Sequence, residues 1–322
     1  MSHGKSGGIT KWKKCDVPWA NPTSEMTVAS LRKLVAGEAA DTGNPEEDVG
    51  QLYPRVALLL STPMDPTILV ERDGAIATVI LNRPEKLNAL TRPMWKRLGD
   101  VFLELDRDDS VRCVVIRGAG TRAFAPGNDI SEFETERSNV GEARDYGSDM
   151  RRTLEAIDHC RHPVVAQIHG ICVCGGLEIA GLADIRICGE SSRFGVPINK
   201  LGLVMAYAEI GSLIALAGEA TALEILLEGR VFDAHEAKGK GLVTRVVPDA
   251  QVESEARATA QRIAEGAPLV ARWHKKFARR LRDPKPLTAQ EYDEGFACFG
   301  TEDFQIGYKA FLAKVKPGFK GK

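Results

Sequence analysis

Hydrophobic and polar positions follow a regular pattern from Thr67 onward, beginning with the stretch TILVERDGAIATVILNR. This stretch contains two apolar runs of strand length, separated by Asp73-Gly74, a residue pair typical of a tight hairpin turn. Two later runs, VRCVVIRG and HPVVAQIHG, are almost continuously apolar, as expected of strands that are buried on both faces. The pattern therefore predicts a β-hairpin followed by buried strands.

Helical periodicity dominates the segments between these strands. TRPMWKRLGDVFLELDRD is amphipathic with Pro93 in its first turn, and ARDYGSDMRRTLEAIDHC is a second amphipathic stretch. Helices are also predicted for GGLEIAGLA, for the long stretch AEIGSLIALAGEATALEILLEG and for DAHEAKGKG, with strands at DIRIC and LVTRVVP. From DAQVESEARATAQRIAEG onward the chain is nearly all helical. Alternating strands and helices before a helical tail predict an α/β domain with an α-helical C-terminal part.

Residues 1–63 differ from the rest of the chain. They contain several Pro, Gly and Asn residues and one helix-like stretch, SEMTVASLRKLVAGEA. HGKSGG is similar to a phosphate-binding loop, but the preceding strand and the upstream glycine of that motif are missing. We predict a partly disordered or loosely attached extension over residues 1–63, a core over residues 64–255 and a helical region over residues 256–322.

The composition argues against a nucleic-acid-binding or membrane protein. The chain is 43% hydrophobic with a net charge of −1, which gives no general attraction to nucleic acids or membrane surfaces. No apolar run approaches the roughly 20 residues of a membrane span, and the N-terminus lacks the apolar segment of a secretory signal. We expect a cytoplasmic protein. The basic stretch VARWHKKFARRLRDPK is interpreted as a solvated helix face or a subunit contact rather than a nucleic-acid site.

The cysteines predict neither disulfides nor a metal site. There are seven, an odd number, and several lie inside apolar runs, which indicates reduced, buried thiols. Cys172 and Cys174 lack the second cysteine pair or histidine cluster that would complete a zinc site. We expect no bound metal.

Two glycine-containing loops carry the candidate chemistry. RGAGTRAFAPGNDISEF and ICVCGGLEIAGLAD each follow a predicted buried strand and lead into a predicted helix. Backbone N–H groups at such a place are donors for an anionic or carbonyl oxygen. The second loop also carries Glu178 just after its two glycines. The pattern alone is compatible with a paired oxyanion site, although ordinary glycine turns and a glutamate that faces the helix dipole are the more common explanation.

Six motifs in order and at consistent spacing resemble one known family. They are LNRPEKLNAL, AFAPGNDISEF, IHGICVCGGLEIAGLADIRI, RFGVPINKLGL, DAHEAKGKGLVTRVV and TEDFQIGYKAFLAKVKPGF. Together they strongly resemble the crotonase family, the enoyl-CoA hydratases and isomerases, from about Thr67 to the C-terminus. The resemblance implies a crotonase-like spiral of repeated ββα units with an α-helical C-terminal trimerisation region. It also implies a homotrimer or a dimer of trimers.

The resemblance further implies an acyl-CoA site. Crotonases hold a thioester carbonyl between two backbone N–H donors, which by motif position are Asn128 and Gly175, and Glu178 matches a catalytic acid/base. Because the donors are main-chain groups, the side chain at position 128 is expected to be secondary. No cofactor is implied beyond the CoA thioester, which is the substrate. The implied substrate contacts are Lys86, Leu87, Ala125, Pro126, Asp129, Ile130, Val173, Pro197, Ile198, Phe311 and Lys314.

One position departs from the hydratase pattern. Hydratases of this family use two glutamates around one water, and the second follows the proline of the FG-x-P segment. Here that segment is RFGVPINKLG, so Ile198 occupies the place and cannot transfer a proton. A second acid from elsewhere is an open alternative, with Glu209, Tyr207 and Glu132 as candidates and an ordinary helix charge favoured for Glu209.

The expected function is reversible water addition to a 2-enoyl-CoA, in the context of fatty acid metabolism, with Glu178 as the single glutamate. Isomerisation of an enoyl-CoA, thioester hydrolysis and decarboxylation within the same family stay open. A different class of function is also open, in which a crotonase homologue binds acyl-CoA without catalysis.

Overall fold

Ten strands form two sheets in the computed structural model, which describes residues 67–322. The extension predicted for residues 1–63 lies outside the described residues. The strands are β1 (Ile68–Asp73), β2 (Ile76–Leu81), β3 (Cys113–Gly118), β4 (Ala123–Ala125), β5 (Val164–Ile168), β6 (Ile171–Val173), β7 (Ile185–Gly189), β8 (Arg193–Gly195), β9 (Val231–Asp233) and β10 (Arg245–Val247).

The larger sheet has the order β1-β2-β3-β5-β7-β10, and the smaller one has the order β4-β6-β8-β9. β1 and β2 are the predicted antiparallel hairpin, with Gly74 in the turn at a φ of 57°. From β2 to β10 the larger sheet is parallel, for example with Val114 beside Val164. The nearly continuous apolar sequences of β3 and β5 are thus explained, because both strands lie in the middle of this sheet and are covered on both faces.

Eleven α-helices are described within residues 67–322. They are α1 (Arg92–Arg107), α2 (Phe133–Glu136), α3 (Val140–His159), α4 (Gly175–Leu182), α5 (Tyr207–Ala217), α6 (Glu219–Glu228), α7 (Ala234–Gly239), α8 (Val252–Ala264), α9 (Pro268–Arg280), α10 (Ala289–Glu294) and α11 (Glu302–Ala313). None of the helices in this part of the chain is both long enough and apolar enough to cross a membrane.

The chain repeats a unit of two strands and a helix. β1-β2-α1, β3-β4-α3 and β5-β6-α4 follow one another, with α2 and two short 3₁₀ helices inserted before α1 or α3. In the second and third units the first strand joins the larger sheet and the second strand joins the smaller one. The predicted series of ββα units is confirmed. As a result, the loops after β4 and β6, which the sequence singled out, leave neighbouring strands of the smaller sheet.

Two hydrophobic layers cover the larger sheet. Val114 and Ile116 of β3 belong to the main core, which includes the buried faces of α1 and α3. Cys113 and Val115 point to the opposite face, where they pack with alanines of α8. This alternation along one strand is the physical reason why successive residues of β3 enter different cores. The six cysteines within residues 67–322 all carry free thiols.

One predicted element is divided in the structure. The long helical stretch expected from Ala208 to Gly229 forms two helices, α5 and α6, with Gly218 between them. Gly218 has a φ of 81°, a value that glycine adopts readily and that ends a right-handed helix. Helical periodicity continues on both sides of the break, which is why the apolar pattern alone did not reveal it.

Candidate active site

The two glycine loops of the sequence meet in space. Gly127, which follows β4, has a φ of 96°, and a Cβ atom on it would lie only 2.8 Å from the backbone nitrogen of Gly175. Conversely, a Cβ atom on Gly175 would lie 3.2 Å from the Cα atom of Gly127. Two chain segments approach this closely only where neither carries a side chain. The structure thus brings Asn128 and Gly175, the predicted N–H donors, onto adjoining loops.

The first loop is paired to the segment after β2. Leu90 donates its N–H to the Gly127 carbonyl at 2.8 Å, and Asp129 donates its N–H to the Leu90 carbonyl at 2.8 Å. In a parallel pairing of this kind the residue between, Asn128, directs its N–H away from the partner segment. Gly175 is the first residue of α4, and the first N–H groups of a helix have no partner within that helix. Both predicted donors therefore lie outside the backbone pairing that builds their loops.

The segment carrying Lys86 and Leu87 is fixed to the same loop. Arg83 donates to the Ala89 carbonyl at 2.7 Å and to the Asp129 carboxylate at 3.0 Å, which joins the two segments through one guanidinium. Asp129 also accepts hydrogen bonds from Ser131, and these donors lower its pKa. The sequence reasoning did not find Arg83, because its role depends on a contact between distant parts of the chain.

Trp95 touches both donor loops. Its indole nitrogen donates to Oδ1 of Asn128 at 2.6 Å, and its ring lies 3.2 Å from the place of a Cβ atom on Gly175. Trp95 is fully buried in α1. The amide nitrogen of Asn128 in turn contacts Sδ of Met150 at 3.6 Å. The side chain at position 128, expected to be secondary for the donor chemistry, thus has a structural contact with α1 through Trp95.

Replacing Trp95 by phenylalanine is expected to slow turnover about 10- to 100-fold. Without the indole N–H the loop that carries Asn128 can move, and a small displacement of a catalytic donor lowers the rate. The ring is largely kept, so the loss of stability should stay near 1–2 kcal/mol, the cost of one buried acceptor without its donor. Steady-state kinetics on a short enoyl-CoA, the substrate that the family resemblance implies, and thermal denaturation measure the two effects. Trp273→Phe in α9 is the matched control, and an unchanged kcat in Trp95→Phe would contradict the positioning role.

Glu178 lies in the first turn of α4, with its N–H bonded to the Cys174 carbonyl at 3.0 Å. Its Oε2 atom is shielded from solvent and has no hydrogen-bond partner among the described residues. Burial, and after it the negative charge of Glu209, raises the pKa of Glu178 to about 8, while the positive charge of Arg137 opposes the rise. A carboxyl group in such surroundings is able to hold and release a proton near neutral pH.

The three candidates for a second acid have different surroundings. Glu132 accepts hydrogen bonds from the Arg92 N–H at 2.9 Å and from the Tyr146 hydroxyl at 3.0 Å, so it holds α1 and α3 together. Tyr207 is 98% exposed. Glu209, in the first turn of α5, lines a cavity of about 10 Å³ together with Glu178. Glu209 is thus the candidate that the structure brings next to Glu178.

The other predicted contact residues differ in their location and in their exposure to solvent. Ile198 is half-buried in a 3₁₀ turn over Pro197–Leu201 and packs against the main core. Phe311, 82% exposed, and Lys314, which caps the C-terminus of α11, belong to the helical tail. Five more predicted contact residues lie in or beside the two donor loops. Ala125 is buried and Ile130 is exposed, and the other three are half-buried, namely Pro126, Asp129 and Val173. Within the described residues no group of three or more His, Cys, Asp or Glu side chains could hold a metal ion.

Comparison with known proteins agrees with this architecture. The model of the enoyl-CoA hydratase/isomerase family matches residues 71–322. A probable enoyl-CoA hydratase of Mycobacterium bovis is 34% identical over 255 residues, which are 79% of this chain and 97% of that protein. The short-chain-enoyl-CoA hydratase of Clostridium acetobutylicum is 33% identical over 258 residues, which are 79% of this chain and 98% of that protein.

Solved structures give the same result. The crystal structure of an enoyl-CoA hydratase/carnithine racemase from Magnetospirillum magneticum matches 80% of this chain and 96% of that chain, with a TM-score of 0.79 and 51% sequence identity. The six motifs, the repeated ββα units and these matches all extend over the same part of the chain. The chain therefore belongs to the crotonase family of enoyl-CoA hydratases and isomerases, and it is an enzyme of that family.

Proposed function

We propose that this enzyme adds water reversibly to a 2-enoyl-CoA, with the backbone N–H groups of Asn128 and Gly175 as donors to the thioester oxygen and Glu178 as the principal acid/base. The observation that carries the proposal is the contact between the two glycine loops beside Glu178, whose Oε2 atom is buried and has no hydrogen-bond partner among the described residues. The hydratase names of relatives more than 30% identical support the same reaction.

The chemistry follows from where negative charge develops. Attack of water on C3 of the enoyl chain moves electron density onto the thioester oxygen, so an enolate-like species forms. Two fixed N–H donors stabilise that oxygen, and the loss of one such donor typically costs about 10²–10³ in rate. Glu178 then supplies or removes a proton at the acyl chain, a role worth about 10²–10⁴ in rate. These steps move only protons and water, so we propose that the CoA thioester is the sole small-molecule partner.

A panel of acyl-CoA thioesters tests the proposal. We expect purified protein to convert crotonyl-CoA, or a longer 2-enoyl-CoA, into a product that is heavier by one water, as detected by mass spectrometry. Release of free CoA would indicate thioester hydrolysis, loss of carbon dioxide would indicate decarboxylation, and a shifted double bond at constant mass would indicate isomerisation. Saturable binding of the thioesters without any product would contradict catalysis and favour the acyl-CoA-binding alternative.

The assembly and location stay predictions. A homotrimer or dimer of trimers is supported by the exposed apolar side chains of the tail, among them Phe311, Leu312 and Val315. Such a patch on a folded chain is typical of a surface that contacts another protein. Light scattering of the purified protein measures the number of subunits, and cell fractionation tests the expected cytoplasmic location.

A further inference from the structure

Two carboxyl groups from consecutive helices face one small cavity. Glu178 comes from α4 and Glu209 from α5, and both line a cavity of about 10 Å³. This volume is close to the minimum that holds one water molecule. The other lining side chains are mostly aliphatic, among them Val196, Met205 and Leu213. The cavity thus joins the buried, unpaired Oε2 of Glu178 to the half-buried Glu209, and burying a carboxyl oxygen without a hydrogen-bond partner is costly.

The two carboxyl groups differ in their hydrogen bonds. Oε2 of Glu209 accepts the N–H of Ala206 at 2.7 Å, at the beginning of α5, where a carboxylate also meets the positive end of the helix dipole. Oε2 of Glu178 is buried and accepts no hydrogen bond from the described residues. Glu178 is thus the carboxyl group that keeps a proton, because burial and then the negative charge of the half-buried Glu209 raise its pKa, whereas Glu209 has a fixed N–H donor.

The remaining groups that face Glu178 do not change this assignment. Arg137 is the nearby cation, and its guanidinium stacks at 4.7 Å from the ring centre of Phe133 and 5.0 Å from that of Tyr146. Its positive charge opposes the effects of burial and of Glu209 but is outweighed by them. The thiol of Cys174 is a neutral neighbour, because burial, and then the charge of Glu178, raises the pKa of Cys174 to about 11.

We propose that Glu209 is the second catalytic carboxylate of this enzyme, which acts with Glu178 across their shared cavity in place of the acid that is missing at Ile198. This inference rests on the proposed hydratase function. It replaces the expectation of a single glutamate and gives the two carboxyl groups separate roles. Glu209 is the base for water, and Glu178 is the acid for the acyl chain.

The two roles complete a balanced reaction. In hydration, Glu209 accepts a proton from water while the oxygen of that water forms a bond to C3. The electron pair of the C2–C3 double bond moves onto the thioester oxygen, and the resulting enolate takes the proton of Glu178 at C2. Transfer of a proton from Glu209 to Glu178 restores both groups. One water is added and nothing else is consumed.

Glu209→Gln is the decisive variant. The glutamine oxygen is still able to accept the Ala206 N–H, so the start of α5 is kept while proton transfer is lost. We expect kcat on crotonyl-CoA to fall about 10²–10⁴-fold, with KM nearly unchanged. In the residual activity, the decline of kcat/KM at high pH should move to lower pH, because the charge beside Glu178 has been removed. Glu219→Gln, an exposed first-turn glutamate of α6, is the matched control and should keep the wild-type rate.

The outcomes separate this inference from the proposed function. If Glu209→Gln keeps the wild-type rate and pH profile while Glu178→Gln is inactive, Glu209 is only a helix cap and the inference is overturned. If the wild-type protein hydrates no enoyl-CoA, or Glu178→Gln is fully active, the proposed function itself fails. If Glu209→Gln lowers Tm by more than about 5 °C, the size expected for the loss of a structural contact, Glu209→Asp decides instead. A catalytic role predicts at least about a tenfold loss of kcat for this shortened carboxylate, whereas a capping role predicts the full rate.

Discussion

Glu178→Gln is expected to lower kcat on an enoyl-CoA by about 10²–10⁴-fold, the usual value of one acid/base group, and to make the protein more stable at the same time. Glutamine matches the size of the carboxyl group but carries no charge and transfers no proton. The gain in stability arises because glutamine is neutral at every pH, whereas burial makes the ionised form of Glu178 costly in the native state. Steady-state kinetics and urea denaturation on the same preparation measure both effects.

The gain in stability should depend on pH with a definite sign. The pKa of Glu178 is raised to about 8 from an ordinary value of 4.5, so the native state holds this proton more tightly than the unfolded chain does. The stability that the protonated carboxyl group contributes is fully present below about pH 4.5 and is lost as the pH rises toward about 8. At pH 7 the loss is roughly 3 kcal/mol for the wild type, and glutamine avoids it.

Several results would contradict this prediction. Wild-type turnover by Glu178→Gln would remove Glu178 from the mechanism. Equal free energies of unfolding for the two proteins at pH 5 and at pH 8 would mean that the carboxyl group is ionised and well solvated in the native state. Glu219→Gln, on the exposed side of α6, should show neither the loss of rate nor the pH-dependent difference in stability.

Gly176→Ala is expected to impair both folding and turnover. A Cβ atom at this position would lie 2.0 Å from the carbonyl oxygen of Ala125, which belongs to the backbone of β4. The backbone of a paired strand cannot shift far, so α4 and β4 must move apart. We expect this to lower the free energy of unfolding by about 1–3 kcal/mol. Gly175 precedes Gly176 directly, and Asn128 follows β4 in the chain, so this movement also displaces the two predicted donors. A displacement of about 1 Å should reduce kcat about 10²-fold or more.

Gly147→Ala provides the control for this substitution. Gly147 lies in the middle of α3, and a Cβ atom there would meet no heavy atom within 4 Å. Alanine at such a place should raise the free energy of unfolding by up to about 1 kcal/mol. Thermal denaturation and kinetics of both variants settle the comparison. A Gly176→Ala protein with wild-type stability and kcat would show that the contact between β4 and α4 does not set the geometry of the donors.

Local patterns predicted most of the larger sheet and its helices. The hairpin strands β1 and β2 and the buried strands β3, β5 and β7 show in the sequence as apolar runs, and the helices α1 and α3 show as a helical period. The smaller sheet was not predicted, since its strands are three residues long and too short to show an alternation. These strands exist because the sheet pairs them, which is information about distant segments.

The same distinction holds for the candidate site. The glycines and Glu178 lie within single short motifs, so they could be predicted as candidates from the sequence alone. The hydrogen bond from Trp95 to Asn128 joins α1 to the loop after β4, and nothing in either motif encodes it. The pairing of Glu178 with Glu209 depends in the same way on how α4 packs against α5. Groups that act together across a cavity become visible only when the helices that carry them are placed.

The indole of Trp95 also bears on when the site is organised. One rigid side chain touches both donor loops, so the distance between the two N–H groups is set as α1 joins the core, before any thioester binds. In the proposed mechanism the reorganisation of the donors is thus completed once, during folding, and is not repeated in each catalytic cycle. Electrostatic stabilisation is most effective when the dipoles are already oriented in this way. The temperature at which the core loosens around Trp95 should then also be the temperature at which turnover begins to fail.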